Sequence, residues 1–108
     1  MNHDAYTDEF LKDTLGRVRV IAVVGASANW NRPSFFVMKY LQAKGFRIVP
    51  VNPKEAGTEI LGEKVYASLA EIPHGVDMVD IFRNSEEAGA IADEAVKKGA
   101  KIVWMQIG

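Results

Sequence analysis

The sequence has no cysteine, no long apolar run and no excess of one charge sign. Without cysteine, its 108 residues hold no disulfide framework, thiolate metal site or cysteine nucleophile. The polar first 15 residues resemble neither a secretory signal nor a membrane span. We therefore expect a cytoplasmic protein with no membrane partner. Because 13 Lys and Arg face 14 Asp and Glu, we expect no nucleic-acid partner and look only for a local basic pocket.

Several sequence motifs of nucleotide and ester chemistry are also missing. There is no GxxxxGK[ST] phosphate loop and no GxSxG elbow, which argues against nucleotide hydrolysis and serine-esterase activity. Histidine is scarce, with His3 near the terminus and His74 in a turn that we expect at the opposite edge of the sheet from any ligand. Asp77 and Asp80 are spaced to point to opposite faces of a strand, so they do not form a carboxylate dyad. We predict no catalytic residue and no metal site.

Four apolar, β-branched stretches are present, and each predicts a strand. They are residues 18–24, 46–51, 76–82 and 101–107. Helices are predicted within residues 1–17, from Pro33 to Gly45, and from Ser85 to Lys98. Two glycines between the second and third strands indicate a loop or small hairpin over residues 55–66, followed by a helical turn near residues 68–72.

This alternation of strands and helices predicts the fold class. With 48% apolar residues, we expect the chain to form one core and one domain over residues 1–108. Short connections between alternating strands and helices favour a three-layer, Rossmann-like, doubly wound parallel α/β sheet. Such sheets usually continue with a further helix and strand, whereas Gly108 directly follows a predicted strand. We therefore expect that the last helix and strand of the fold lie outside this sequence.

Ligands of open parallel sheets bind at the carboxyl ends of the strands, so the segments after the strands form the candidate site. Gly25 permits a sharp turn after the first strand, Ser27 offers a hydroxyl, and exposed backbone N–H groups near the helix start can receive a phosphate. Arg32 and Arg83 lie in two of these loops and offer phosphate-binding side chains.

The loop after the second strand discriminates between nucleotides. An NAD enzyme usually presents an acidic residue there to the ribose, whereas this chain has Asn52, Pro53 and Lys54. A cation favours a phosphorylated ribose, which both NADP and coenzyme A carry. The Gly25 turn lacks the other two glycines of the dinucleotide fingerprint, which disfavours a nicotinamide cofactor without excluding it.

The same segments resemble a known family. The runs at residues 21–27, 32–34 and 48–53 resemble the small stand-alone CoA-binding proteins, whose members are similar to the N-terminal domain of the succinyl-CoA synthetase α subunit. The resemblance continues through residues 61–83 to residues 104–108. It implies a Rossmann-like domain whose ligand is coenzyme A or an acyl-CoA.

The resemblance also implies roles for individual residues. Ser27 to Asn29 contact the nucleotide phosphates, Lys54 lies by the CoA phosphoryl groups, and Met105 to Ile107 border the thioester arm. Phe82 and Arg83 flank the adenine. Together, the predicted ligand contacts are Gly25, Ala26, Ser27, Ala28, Asn29, Arg32, Asn52, Pro53, Lys54, Phe82, Arg83, Asn84, Met105, Gln106 and Ile107.

No segment of this chain matches the part of the synthetase that carries the catalytic histidine, so ligase activity is not inferred. The leading hypothesis is a module that binds CoA or acyl-CoA without catalysis, and a protein partner or a second copy of the chain is compatible with it. The alternative is an NADP-dependent reductase or a nicotinamide-nucleotide sensor.

Overall fold

The computed structural model describes residues 19–83 and 85–105. A four-stranded parallel sheet forms its centre, and the strands are β1 (Val20–Val24), β2 (Arg47–Val51), β5 (Met78–Ile81) and β6 (Ile102–Met105). Two short strands, β3 (Glu59–Ile60) and β4 (Glu63–Lys64), form a separate antiparallel hairpin. Helix α1 (Pro33–Ala43) follows β1, and helix α2 (Ser85–Lys97) follows β5. The helix predicted within residues 1–17 lies outside the described residues.

The sheet has the order β2-β1-β5-β6, so the chain winds outward in both directions from the central pair. Side chains alternate between the two faces of β1. Ile21 and Val23 pack with Val37, Met38 and Leu41 of α1, whereas the intervening β1 residues pack with α2 on the other face. Helices therefore cover both faces of a parallel sheet, and the predicted three-layer, doubly wound class is confirmed.

Burial explains why β1 is apolar along its whole length. Residues 21–24 are each no more than 5% exposed, because strands flank β1 on both sides and helices cover both faces. The outer strand β2 contains Pro50, which lacks an N–H, and this is tolerated at the edge of a sheet. The Pro50 carbonyl accepts a 3.0 Å hydrogen bond from the N–H of Tyr66, and Tyr66 therefore covers part of this edge.

The predicted elements and the observed ones differ mainly at their ends. Ladder pairing begins one or two residues later than the apolar pattern in β1, β2, β5 and β6. The predicted loop or hairpin over residues 55–66 is a hairpin, and a short 3-10 helix, Leu69–Glu71, forms the expected helical turn. Within the described ranges, neither α1 nor α2 combines the length and apolarity needed to cross a membrane.

A carboxylate ties the amino-terminal edge of the sheet together. Asp77 Oδ2 accepts hydrogen bonds from the N–H groups of Arg19 at 3.0 Å and Val20 at 2.9 Å. The bond from Arg19, then that from Val20, lowers the pKa of Asp77 below its ordinary value, and the charges of Lys101 and Arg19 act in the same direction. Asp77 therefore fastens the start of β1 to the start of β5.

Candidate functional site

The four parallel strands end together. In the registered pairs of the sheet, Val51 of β2 lies beside Val24 of β1, which lies beside Ile81 of β5, which lies beside Met105 of β6. The loops that follow these residues therefore leave the sheet along one edge. This is the strand-end edge, where parallel α/β sheets bind their ligands.

Gly25 brings the loop after β1 against the end of β5. Its φ is +87°, and its N–H donates a 2.9 Å hydrogen bond to the Val51 carbonyl. A Cβ at this position would overlap the Phe82 carbonyl oxygen and would lie 3.0 Å from the carbonyl carbon. Only glycine fits both the conformation and the space, which confirms the predicted sharp turn.

A cleft of about 550 Å³ opens at the strand-end edge. Its lining comes from three loops and the starts of both helices: Gly25, Ser27, Arg32, Pro33, Ser34, Asn52, Lys54, Phe82, Arg83 and Glu87. Arg32, Lys54 and Arg83 contribute three cationic side chains, whereas Glu87 contributes one carboxylate. The cleft is therefore locally basic, although the formal charge of the whole chain is −1.

Asn52 joins two loops that line this cleft, the β1–α1 loop (residues 25–32) and the β2–β3 loop (residues 52–58). Its Nδ2 donates a 2.7 Å hydrogen bond to the Ala26 carbonyl, and its Oδ1 accepts a 2.9 Å bond from the Lys54 N–H. The Asn52 N–H is itself held by the Tyr66 carbonyl at 2.9 Å. One half-buried side chain thus positions both the turn after β1 and the backbone that carries Lys54.

Most donors of the β1–α1 loop already have acceptors. The N–H of Ala28 donates to the Glu55 carboxylate at 3.3 Å, and that of Asn29 donates to Ser27 Oγ at 3.0 Å. Further along, the N–H of Asn31 reaches Asn29 Oδ1 at 3.3 Å, and that of Arg32 reaches the Asn29 carbonyl at 3.0 Å. The N–H groups of these four residues are thus engaged within the protein, and a phosphate binding to one of them has to replace its present acceptor.

A second cleft, of about 350 Å³, lies between the strand-end edge and α2. It shares Lys54, Arg83 and Glu87 with the first cleft. The remaining lining is mainly apolar: Val24, Val51, Pro53, Ala67, Ser68, Leu69, Ile91 and Glu94. The shared charged groups therefore lie between a polar cleft and a more apolar one.

The predicted contacts are not all in the larger cleft. Ala26 is fully buried in the core, so its side chain is unavailable to a ligand, and Pro53 lines the second cleft. Ala28 and Asn29 are exposed but absent from the lining of both clefts, as is Met105 at the end of β6. Asn84, Gln106 and Ile107 lie outside the described residues.

Four residues in or beside the larger cleft were not predicted as site residues. Pro33, Ser34 and Glu87 line this cleft, and Glu55 contacts Ala28 beside it. Ser34 is only 3% exposed. The position of Ser34 just after Pro33, at the start of the helix, is only a weak indication that Ser34 lies at the site. No sequence pattern indicated Glu55, because its contact with Ala28 joins residues 27 positions apart.

The histidine and carboxylates considered for chemistry lie elsewhere. In the turn before β5, His74 Nδ1 is 2.9 Å from the Gly75 carbonyl oxygen. Asp80 is fully buried within β5, and Asp77 binds the β1 start, so the two aspartates do not share a site. Among residues 19–83 and 85–105, no cluster of three or more His, Asp or Glu side chains suitable for a metal ion was found.

Comparison with known proteins shows the family of this chain. The family model for the CoA binding domain matches residues 19–108. The chain is 41% identical over 98 residues to the uncharacterised protein YneT of Bacillus subtilis (strain 168), covering 91% of this chain and 71% of that protein. It is 37% identical to the α subunit of ADP-forming acetate–CoA ligase I of Pyrococcus furiosus, covering 84% of this chain but only 21% of that subunit.

Solved structures share this architecture. A hypothetical protein from Pyrococcus horikoshii OT3 superposes with a TM-score of 0.79 at 42% identity, covering 94% of this chain and 70% of that one. A protein from Thermus thermophilus superposes with a TM-score of 0.83 at 34% identity, covering 94% and 78% of the two chains. The apo form of a dinucleotide-forming acetyl-CoA synthetase from Ca. Korarchaeum cryptofilum superposes with a TM-score of 0.70 at 26% identity, covering 87% of this chain and 20% of the enzyme.

Proposed function

Since this chain belongs to the CoA-binding domain family, we propose that it binds coenzyme A or an acyl-CoA at the strand-end edge. The observation that carries the proposal is the joining of Arg32, Lys54 and Arg83 in one cleft beside the Gly25 turn. Coenzyme A carries a diphosphate and a ribose 3′-phosphate, so it presents several negative charges to the same surface. Three cations from three different loops match a ligand with several phosphate groups better than they match a ligand with only one.

The two adjoining clefts support a long ligand of mixed polarity. Lys54 and Arg83 line both clefts, so a ligand that reaches these residues can extend into the polar cleft on one side and into the more apolar cleft on the other. Coenzyme A has this character, since a nucleotide and a pantetheine arm extend from its diphosphate. The binding mode thus uses the apolar lining of the second cleft as well as the charges.

We further propose that binding occurs without catalysis by this chain. Histidine is the most common acid–base catalyst at neutral pH, and His74, the one histidine among the described residues, precedes β5, at the opposite edge of the sheet from the cleft. The ligase relatives are much longer, and this chain corresponds to about a fifth of the Pyrococcus furiosus α subunit. We therefore do not carry the ligase activity in their names over to this chain.

Isothermal titration calorimetry of the 108-residue chain with CoA, acetyl-CoA and NADPH tests the proposal. We expect saturable binding of CoA and acetyl-CoA and no comparable heat with NADPH. Release of free thiol from acetyl-CoA, followed in parallel, should stay at the rate without protein. Saturable binding of NADPH alone would overturn the proposal in favour of the nicotinamide alternative, and thiol release above background would overturn the absence of catalysis.

A further inference from the structure

Glu55 places a negative charge on the β1–α1 loop, beside the larger cleft. Its Oε2 accepts the Ala28 N–H at 3.3 Å, and Ala28 lies between Ser27, which lines the larger cleft, and the rest of the β1–α1 loop. A backbone N–H in a turn between a strand and a helix is a donor that phosphates commonly use. Here a carboxylate of the same chain occupies it.

The backbone of Glu55 is firmly held, whereas its carboxylate contact is not. Its N–H donates to the Asn52 carbonyl at 3.1 Å, and its own carbonyl accepts from the Thr58 N–H at 3.1 Å and the Thr58 hydroxyl at 2.7 Å. The contact with Ala28, in contrast, is exposed and long. The side chain can therefore leave Ala28 while the β2–β3 loop keeps its shape.

A second, tighter contact joins the same two loops. The Asn52 amide holds the Ala26 carbonyl at 2.7 Å in a half-buried position, so the loops stay together when the exposed contact opens. The inner contact is short and half-buried, whereas the outer one is long and exposed.

We propose that Glu55 is a specificity-determining residue of the cleft, which a ligand phosphate must displace from the Ala28 N–H. This inference rests on the proposed function and adds a feature to it. Glu55 lowers the affinity for every ligand with a phosphate at this loop, because binding replaces one charge-assisted hydrogen bond by another and brings a second negative charge close to the carboxylate. It selects for ligands with enough other phosphate contacts to offset that loss.

Glu55→Gln tests the proposal, because glutamine keeps the size of the side chain and an oxygen that can accept the Ala28 N–H. The control is Glu71→Gln, which changes the net charge equally at an exposed glutamate in the 3-10 helix, outside both clefts. By calorimetry at low salt, we expect Glu55→Gln to bind CoA about threefold to fivefold tighter than wild type, in the range of an exposed charge interaction. Glu71→Gln should match wild type.

The amide resonance of Ala28 in a ¹H–¹⁵N spectrum distinguishes two effects of Glu55: displacement of its carboxylate from the Ala28 N–H, and repulsion of the ligand phosphates from a distance. It should differ between wild type and Glu55→Gln in the free proteins and become the same when both are saturated with CoA. Equal CoA affinities for wild type and Glu55→Gln, or Ala28 resonances that still differ at saturation, would overturn the inference and leave CoA binding established. If none of the three proteins binds CoA, the proposed function fails and this inference fails with it.

Discussion

The side chain of Asn52 is bonded to the backbone of Ala26 across the strand-end edge. The Nδ2–O distance is 2.7 Å, and the other end of the same amide accepts the Lys54 N–H at 2.9 Å. The residue thus joins the ends of β1 and β2, two segments 26 positions apart in the chain. The turn that lines the cleft and the loop that carries its lysine are held by one group with both a donor and an acceptor.

Replacing Asn52 by aspartate removes the donor and keeps the acceptor. Asn52→Asp should lose the bond to the Ala26 carbonyl and retain the one from the Lys54 N–H, lowering the free energy of unfolding by about 1 kcal/mol or more. Urea denaturation at neutral pH measures the change. Asn52→Ala, which removes both bonds, should be less stable than wild type as well, and an unchanged unfolding midpoint in both variants would contradict this role.

Gly25→Ala should destabilise the protein strongly, because it combines an unfavourable φ with an overlap on the Phe82 backbone. Gly57→Ala is a matched control: its φ of +89° is almost that of Gly25, and a Cβ added there would meet no atom of the surrounding protein within 4 Å. We expect about 1 kcal/mol of destabilisation for the control and at least about 2 kcal/mol for Gly25→Ala. Thermal unfolding of both variants measures the two losses of stability. Similar losses would show that the close approach of Gly25 to the Phe82 backbone adds nothing to the effect.

Lys54→Ala should weaken the binding of CoA more than that of dephospho-CoA, if the lysine holds the ribose 3′-phosphate. The side chain is exposed, so we expect a loss of about 1 kcal/mol, or roughly fivefold in Kd, for CoA. Lys39→Ala removes an equal charge from an exposed position of α1 outside both clefts and should leave both dissociation constants unchanged. Calorimetry with the two ligands provides the comparison, and equal losses for both would assign Lys54 to a different part of the ligand.

Asp77→Asn should reduce stability at neutral pH and have progressively less effect in acid. The folded pKa of Asp77 lies below its ordinary value of 3.8, so its stabilisation is present above that value and is lost as the pH falls through the folded pKa. We expect a deficit of about 0.5–1 kcal/mol at pH 7, since the site is largely open to solvent. Unfolding curves of the two proteins from pH 7 down to acid should converge, and a constant gap would contradict the role of the charge.

The order of strands and helices could be predicted from the sequence because it depends on local patterns. The unbroken apolar run of β1, the proline that opens α1 and the glycine that follows it report burial and backbone geometry within a few residues. Strand ends were less accurate, because the first paired residue is decided by the neighbouring strand: Met78 pairs with Ile21, whereas the apolar run begins at Val76.

For the site, the sequence by itself determined the residue types at the strand ends: a glycine turn followed by Arg32 in the first loop, and Lys54 and Arg83 in two further loops. Only the tertiary structure decided which of them meet, because the parallel register aligns Val51, Val24 and Ile81 and so brings Arg32, Lys54 and Arg83 into one cleft. The Asn52–Ala26 and Glu55–Ala28 contacts also required it, since each joins residues more than 25 positions apart that approach only when β1 and β2 pair. Short-range patterns in a sequence carry no record of such distances.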